Sequence, residues 1–447
     1  MKKLITILTV LAIATIAIPA FSAVENVKVG GDMTAYGIFR NNFDFIKNST
    51  AKDDYHWFQT STRIYVSADL TDNVSAMVRL INERDWATGV GAGIAGGTID
   101  MDLANVKIAD LLTPGLSLTV GRQEILLGEG LVVGSAYSCA AYPIGLGGLG
   151  IGEDLGLQKA FDAVKLDYSV AAFPVSASLF MAKLVENYGG LNTAGAPGDT
   201  DLYALSVLWK PEYFSLEEYY VWEKTGFANE GTDRYDIGTI GIRATATIPA
   251  VTGLSLKGEY AKQNGKVDTF GLAESGVEGW AGYLGAAYEF GVSMKPKVSL
   301  TYNYFSGRDA ADTKAKNWIP IAPSNIADRV GMIAYPALFS AGESTNTLVA
   351  ESSGLVSWKL GLGIQPLEKL SLSLNVFNLT AAEKYTAGEK KAIGNEYDLN
   401  ATWAYTSDLS FGLDYGILQP GKLIKDAVGA AVDTSAWQTI VSMKLAF

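Results

Sequence analysis

Apolar and polar side chains alternate along most of this 447-residue sequence, and this period of two constrains the fold more than any other feature. In residues 58–70, every second side chain from Phe58 to Leu70 belongs to a mainly apolar set, and the side chains between them are mainly polar. Residues 370–376 and 409–417 repeat the pattern. Because successive side chains of a strand point to opposite faces, these segments predict strands with one apolar and one polar face.

The connections between the predicted strands fall into two length classes that tend to alternate along the chain. Short connections lie at residues 71–73, 211–214, 366–369 and 406–408, and long ones at 44–54, 87–98, 128–159, 187–200, 264–279, 308–352 and 419–436. Bacterial outer-membrane barrels have short periplasmic turns and longer external loops. We therefore predict an all-β fold, a transmembrane antiparallel up-and-down β-barrel of about 18 strands. A soluble β-sandwich would show the same alternation, but it would not need loop lengths segregated by end.

Both ends of the chain carry the signals of an exported barrel protein. Lys2 and Lys3 precede an apolar stretch at residues 4–18, and small residues follow at 20, 22 and 23, as in a cleaved secretory signal peptide. We therefore predict a leader over residues 1–23 and a single barrel domain over 24–447, in the outer membrane of a Gram-negative-type bacterium, surrounded by lipid and lipopolysaccharide. The alternation continues to the terminal Phe447, which we expect the barrel-assembly machinery to recognise; an ordinary edge strand is the alternative.

Composition argues against several classes of function. The 35 basic and 47 acidic residues give a formal net charge of −12, or −14 once Lys2 and Lys3 leave with the signal peptide, which disfavours nucleic-acid binding. One histidine and one cysteine, His56 and Cys139, exclude an intramolecular disulfide and metal sites built from several thiolates or histidines. Residues 145–150 fit the G-x-G-x-x-G spacing, but no suitable helix follows them. We predict no cofactor, no bound metal and no catalysis; a barrel enzyme would have to depend on His56.

If the apolar face meets lipid, the polar face lines a lumen and its charges set selectivity. The predicted pore-lining residues are seven cations on or near neighbouring strands, together with one acid among them: Arg40, Arg63, Arg79, Lys107, Arg122, Lys165, Lys183 and Glu124. Cations in a confined pore attract passing anions, so we predict passage of small anionic or carbohydrate-like solutes. If these charges pair with one another, the barrel is instead a non-selective general porin. A closed barrel serving adhesion or surface architecture is the third possibility.

Two of the long connections are large enough to enter a lumen of this size. Barrels of about 16 to 18 strands leave an aqueous channel unless loops fill it. Residues 128–159 are Gly-rich and uncharged in the middle, which suits a loop that folds inward or packs under the rim. Residues 308–352 combine several charges with Pro320, Pro323 and Pro336, which suits an ordered cap. Mobile surface loops are the simpler alternative.

Two strand motifs resemble those of the alginate-export family of outer-membrane porins. Residues 118–125, with Gly121-Arg122-Gln123-Glu124, and the acidic Gly turn at 128–130 are similar to one strand and turn of that family. Residues 161–166 are similar to the strand that comes next, and residues 72–80 and 416–424 show weaker similarity. The resemblance implies a monomeric 18-stranded barrel with a cation-lined pore that passes anionic polysaccharide outward.

By this resemblance, Arg79, Arg122, Glu124 and Lys165 belong to the selectivity wall. Alternation alone places Arg122 and Glu124 on the same side as Leu118 and Val120. Their position in the lumen therefore requires a bulge near Gly121.

Overall fold

The computed structural model describes residues 25–43, 45, 54–86, 99–135, 155–170, 172–186, 199–225, 234–268, 275–335, 353–384, 388, 390–428 and 435–447. Three features noted in the sequence lie outside these ranges: the predicted signal peptide 1–23, Cys139 and the glycine-rich segment 145–150.

The described residues form 19 strands in one sheet. They are β1 (Glu25–Asn41), β2 (Asp54–Thr71), β3 (Val74–Asp85), β4 (Ile99–Ile108), β5 (Leu116–Gln123), β6 (Phe161–Val170), β7 (Val175–Val185), β8 (Thr200–Trp209), β9 (Phe214–Thr225), β10 (Arg234–Thr247), β11 (Leu254–Asp268), β12 (Ser275–Val277), β13 (Trp280–Glu289), β14 (Lys297–Phe305), β15 (Leu355–Leu367), β16 (Leu370–Thr380), β17 (Ala392–Ala404), β18 (Leu409–Pro420) and β19 (Ala436–Ala446). The three-residue β12 pairs with the end of β11 beside β13, so 18 strands make up the barrel wall.

Each barrel strand pairs antiparallel with its neighbours in sequence, and the first strand also pairs with the last. The closing ladder joins β1 to β19 from Asp32 opposite Ala446 to Asn41 opposite Trp437. Gly31 and Phe447 exchange two backbone hydrogen bonds of 2.9 Å beyond it. A Cβ on Gly31 would lie 2.5 Å from the Arg63 carbonyl oxygen and 2.8 Å from the Phe447 ring, so only glycine allows this close approach. The prediction of a closed antiparallel barrel of about 18 strands is confirmed.

The two faces of the wall differ as the alternation predicted. Large apolar side chains are exposed on one face all around the barrel, for example Ile64 on β2, Leu284 on β13 and Leu413 on β18. Aromatic contacts lie near both ends of this face. Phe58–Trp86, Tyr203–Trp222 and Trp280–Tyr304 lie towards the long loops, and Trp209–Phe214 and Trp403–Phe411 lie towards the short turns. This arrangement is that of a lipid-facing belt bounded by interfacial aromatic rings.

One acidic side chain interrupts the apolar belt. Glu218 on β9 is exposed and faces outward, directly between Val207 of β8 and Ile242 of β10. It lies four residues from Phe214 and four from Trp222, the aromatic residues near the two ends of the belt on this strand. Glu218 therefore occupies the middle of the lipid-facing surface.

The hydrophobic core lies inside the barrel, where parts of two long connections pack against the wall. Residues 125–133 and 315–322 bury most of their apolar side chains against inward-facing residues of β6 to β13. The two segments are joined by a parallel bridge between Val133 and Ala322, with Gly134 N donating to Ala322 O at 2.8 Å. The described parts of both loops therefore fold inward, which was one of the sequence-based alternatives.

Two short helices contribute to a second apolar cluster. Helix α1 spans Ile326–Val330 and helix α2 spans Lys422–Val428. Val330, Leu423 and Ile424 pack with inward-facing side chains of β15 to β19 and with Phe43 and Phe45. Within the described ranges, no helix has both the length and the apolar character needed to span a bilayer.

Candidate functional site: the lumen and its constriction

Five of the eight residues predicted to line the pore project from inward-facing positions. Arg40 is buried, donates from Nε to Gln438 Oε1, and places its guanidinium 5.2 Å from the ring centres of both Phe43 and Trp57. Lys107 is exposed towards the short-turn end of β4. Arg63, Arg79 and Lys165 complete this group.

The last three of these cations form ion pairs across or along the wall. Arg63 pairs with Asp32 at 3.0 Å, and Lys165 pairs with Asp167 at 2.9 Å. Arg79 contacts the buried Asp102 and also Glu124. Glu124 therefore approaches the inward-facing Arg79, just beyond the last residue of β5. This part of the wall carries compensated charge.

Arg122 and Lys183 lie on outward-facing rows. Gly121 has a φ of +113°, yet the pairing of β5 with β4 and β6 runs through it without a register shift. Arg122 therefore stays in phase with the exposed Val120 and pairs with Asp162 at 3.0 Å. Lys183 is in phase with the exposed Leu179 and Met181. The bulge that an inward-facing Arg122 would require is absent at Gly121. The structure therefore corrects two predictions: Arg122 and Lys183 face outward and do not line the lumen.

A different group of cations gathers inside the barrel around Glu129, on the infolded segment after β5. Lys257 Nζ lies 2.8 Å from Glu129 Oε2, and Arg243 Nη2 lies 3.5 Å from Oε1. Arg329 of α1 donates from Nη2 to the Glu129 carbonyl oxygen at 2.8 Å. Lys257 and Arg329 also lie 5.4 and 5.7 Å from the ring centre of Tyr283. These five residues are called the Glu129 cluster.

The electrostatics of the Glu129 cluster explain why its acid is ionised. Burial alone would raise the pKa of Glu129, but the hydrogen bond and charge of Lys257, with Arg243 and Arg329 nearby, hold that pKa below its ordinary value. Gly128 makes the approach possible. It has a φ of +56°, and a Cβ there would lie 2.7 Å from Arg243 Cδ. The local sequence Gly-Glu-Gly thus lets a carboxylate reach the cations of β10 and β11.

The segment 326–334, called the lumen bridge, links the Glu129 cluster to the wall around β17. At one end Arg329 holds the Glu129 carbonyl, and Ser357 Oγ donates to the Arg329 carbonyl at 2.7 Å. At the other end Glu396, on β17, accepts hydrogen bonds from Ile333 N at 2.6 Å and Ala334 N at 2.8 Å. Gly331, with φ +110°, leaves room for that carboxylate, because a Cβ would lie 2.4 Å from Glu396 Cδ.

The lumen bridge therefore narrows the lumen between the Glu129 cluster and β17. A further cation lies beside it, because Lys359 on β15 pairs with Asp328 of α1.

On another part of the wall, inward-facing residues of β16 to β18 form a hydrogen-bonded surface, the asparagine wall. It comprises Ser373, Asn375, Asn400 and Asp414. Ser373 Oγ donates to Asn400 Oδ1 at 3.3 Å, Asn375 Nδ2 donates to the same oxygen at 3.2 Å, and Asn400 Nδ2 donates to Asp414 Oδ1 at 2.8 Å. Each side chain is partly exposed, so its remaining donors and acceptors face the lumen. Such a surface offers hydrogen bonds to a hydroxylated solute.

Sequence reasoning missed the Glu129 cluster for a specific reason. Arg243, Lys257 and Lys359 occupy inward positions in alternating strands, so the period of two could have identified them. Glu129 and Arg329 lie in connections without periodicity, and only the infolding of two loops brings them together. Among the described residues, no group of three or more His, Cys, Asp or Glu side chains is arranged to hold a metal ion.

Comparisons with known proteins agree with this geometry. A family model described as alginate export matches residues 25–438. Similar solved structures include OccK11 (OpdR) of Pseudomonas aeruginosa, with 11% identity, coverage of 95% of this chain and 96% of that one, and a TM-score of 0.56. OccAB4 of Acinetobacter baumannii has 10% identity, coverage of 96% and 99%, and a TM-score of 0.58. A BenF-like porin of Pseudomonas fluorescens has 9% identity, coverage of 95% and 99%, and a TM-score of 0.56. At these identities the structures show the shared fold. Among curated proteins, none matches this sequence.

Proposed function

The chain belongs to the alginate-export family and is an outer-membrane channel of a Gram-negative bacterium, and we propose that it passes anionic, carbohydrate-like solutes by diffusion. The proposed route runs past the lumen bridge, between the Glu129 cluster and the asparagine wall. No covalent step is needed for this function. His56 is exposed on the outward face of β2, and we assign it no catalytic role.

The observation that carries the proposal is the convergence of three cations on one residue, Glu129, beside the lumen bridge: two contact its carboxylate and the third its backbone carbonyl. Arg243, Lys257 and Arg329 surround Glu129, and Lys257 is the most exposed of the wall cations in this cluster, with 34% of its side-chain surface accessible. A cation held in a narrow passage attracts anions more strongly than one in open solvent, because the walls have a lower dielectric constant. Hydroxyl groups of the same solute would find donors and acceptors on the asparagine wall.

The ion pairs elsewhere in the lumen favour a second candidate, a general porin without ion preference. Arg63, Arg79 and Lys165 each have a carboxylate partner, and the buried acids Glu217 and Glu259 lie near Arg243. If these acids cancel the field of the Glu129 cluster, small solutes of either charge pass alike. In that case Arg40, Arg63, Arg79 and Lys165 stabilise the wall and do not select.

Reversal potentials across planar bilayers in a salt gradient distinguish these candidates. We expect the purified protein to prefer chloride over potassium, and soluble polyuronates to block the current. Neutralising Lys257→Gln together with Lys359→Gln should lower the anion preference several-fold. The control Lys444→Gln removes an inward charge near the short-turn end of β19 and should leave it unchanged. A preference for potassium in the native channel would refute the anion-selective reading.

A further inference from the structure

A row of alternating charges lies on the outer surface of the barrel, separate from the lumen. It includes Lys183, Asp201, Lys224, Asp236 and Lys266, which are direct cross-strand neighbours on β7, β8, β9, β10 and β11. On the β6 side, Lys183 lies opposite Asp162, which pairs with Arg122 of β5, so the alternation of charge continues there. All five positions are in phase with exposed apolar residues of the lipid-facing belt, such as Leu179, Leu205 and Ile240. We call these five residues the outer charge row.

The row lies at the edge of the belt nearest the long loops. Two residues below it on the same strands are Met181, Tyr203 and Trp222, which belong to the belt and its aromatic border. Two residues of strand rise about 6.6 Å, or about 5 Å along the membrane normal at the usual tilt of such barrels. The row therefore lies in the headgroup layer of the outer leaflet.

The lysines of the row differ in their contacts. Lys183 pairs with Asp201 at 2.9 Å, with Glu186 at 2.8 Å and with Asp199 at 3.6 Å. The Lys224 ammonium lies 5.2 Å from the centre of the Trp222 ring, and no carboxylate within the described part of the chain lies within 4.0 Å of it. Its neighbour Asp236 instead accepts a hydrogen bond from Trp222 Nε1 at 2.7 Å. Exposed ion pairs contribute little free energy, so a polyanionic ligand can compete for these lysines.

The charged row is confined to one side of the barrel. At a similar distance from the short turns, the outward positions of β16, β17 and β18 are Asn378, Asn395 and Gln419. These amides are uncharged, and Asn378 Nδ2 donates to Asn395 Oδ1 at 2.8 Å. On β16 to β18, uncharged amides provide the polar groups at the membrane edge. The alternating charges on β7 to β11 are therefore not explained by a general requirement for polar side chains at this level.

We propose that the outer charge row is a binding site for the phosphate groups of lipopolysaccharide. The lysines bind the phosphates, and Asp201 and Asp236 bind the divalent cations that bridge phosphates in the outer leaflet. Charge complementarity selects this occupant, because a phosphorylated glycolipid with its counterions presents both signs of charge at this depth. Attraction to an anionic membrane surface increases with each nearby lysine, so a row of three lysines binds phosphates more strongly than one lysine does.

The test measures binding of defined lipopolysaccharide to the purified full-length protein in mild detergent with Mg²⁺. The variant Lys183→Gln/Lys224→Gln/Lys266→Gln is compared with a charge-matched control, Lys210→Gln/Lys295→Gln/Lys369→Gln, in which three short-turn lysines are replaced. We expect the row variant to bind at least about tenfold more weakly than the native protein, and the control to bind normally. Native binding should also weaken with EDTA and with dephosphorylated lipopolysaccharide.

Two results would overturn the proposal: equal binding by the row variant and the native protein, or undiminished binding of the dephosphorylated glycolipid. The single variant Lys224→Gln guards against misfolding, because the ammonium it removes contacts the Trp222 ring and no carboxylate among the described residues. Its binding should fall by a smaller factor while single-channel conductance is retained. Unchanged binding by a folded Lys224→Gln variant would also count against the site.

Discussion

The attachment of the lumen bridge to Glu396 leads to a quantitative prediction. Glu396 is fully buried and accepts hydrogen bonds from the backbone of Ile333 and Ala334 at 2.6 and 2.8 Å. Leaving one buried backbone N–H without an acceptor costs about 1–3 kcal/mol. Glu396→Gln retains one acceptor oxygen but turns an amide N–H towards a backbone N–H. We therefore expect the bridge to lose about 3 kcal/mol of local stability, roughly a 150-fold rise in its open population.

Hydrogen exchange followed by mass spectrometry measures this opening directly. Exchange of the amides of Ile333 and Ala334 in Glu396→Gln should accelerate by about two orders of magnitude, while amides in the middle of β17 stay protected. Single-channel records should show a larger or noisier conductance, because the bridge leaves the lumen more often. The matched control is Glu223→Gln, which alters a buried inward carboxylate of β9 away from the bridge. Native exchange rates at Ile333 and Ala334 in Glu396→Gln would refute the claim that this carboxylate holds the bridge.

Three more predictions follow from single contacts. Glu218→Leu should stabilise the barrel in lipid vesicles by about 1–2 kcal/mol, because it removes an acid from the middle of the belt; a lower unfolding free energy would contradict this. Gly128→Ala should cost about 1–2 kcal/mol, since a positive φ and contact with Arg243 both oppose a Cβ, and anion preference should fall with it. The pKa of Glu129 is lowered in the folded protein, so its ion pair contributes its full stability at pH values above the ordinary pKa of 4.5. That contribution is lost as the pH falls through the lower, folded-state pKa. The contribution of this ion pair to stability should therefore be constant down to pH 4.5, and Lys257→Gln should move its acid transition upward.

The wall could be predicted from the sequence because each strand repeats a local pattern. Residues 409–417 alternate strictly, and β18 spans Leu409–Pro420 with its even-numbered side chains inward. The interior could not be predicted in the same way. Val133 and Ile333 lie in connections, and their burial depends on contacts with strands far away in sequence. Arg122 shows the strength of the pattern, since alternation alone placed it with Val120, and the unbroken register through Gly121 keeps it there although the family resemblance implied the lumen.

Closure of the wall between β1 and β19 has a consequence for assembly. The ladder pairs Asp32 with Ala446, more than four hundred positions apart, so it forms only after the intervening strands are in place. Until then both edges present unpaired backbone groups that lipid cannot satisfy. Partly assembled sheets are therefore poor resting states within a bilayer. Substitution at Gly31 should delay release of the finished barrel from the site of assembly more than it weakens the barrel once closed.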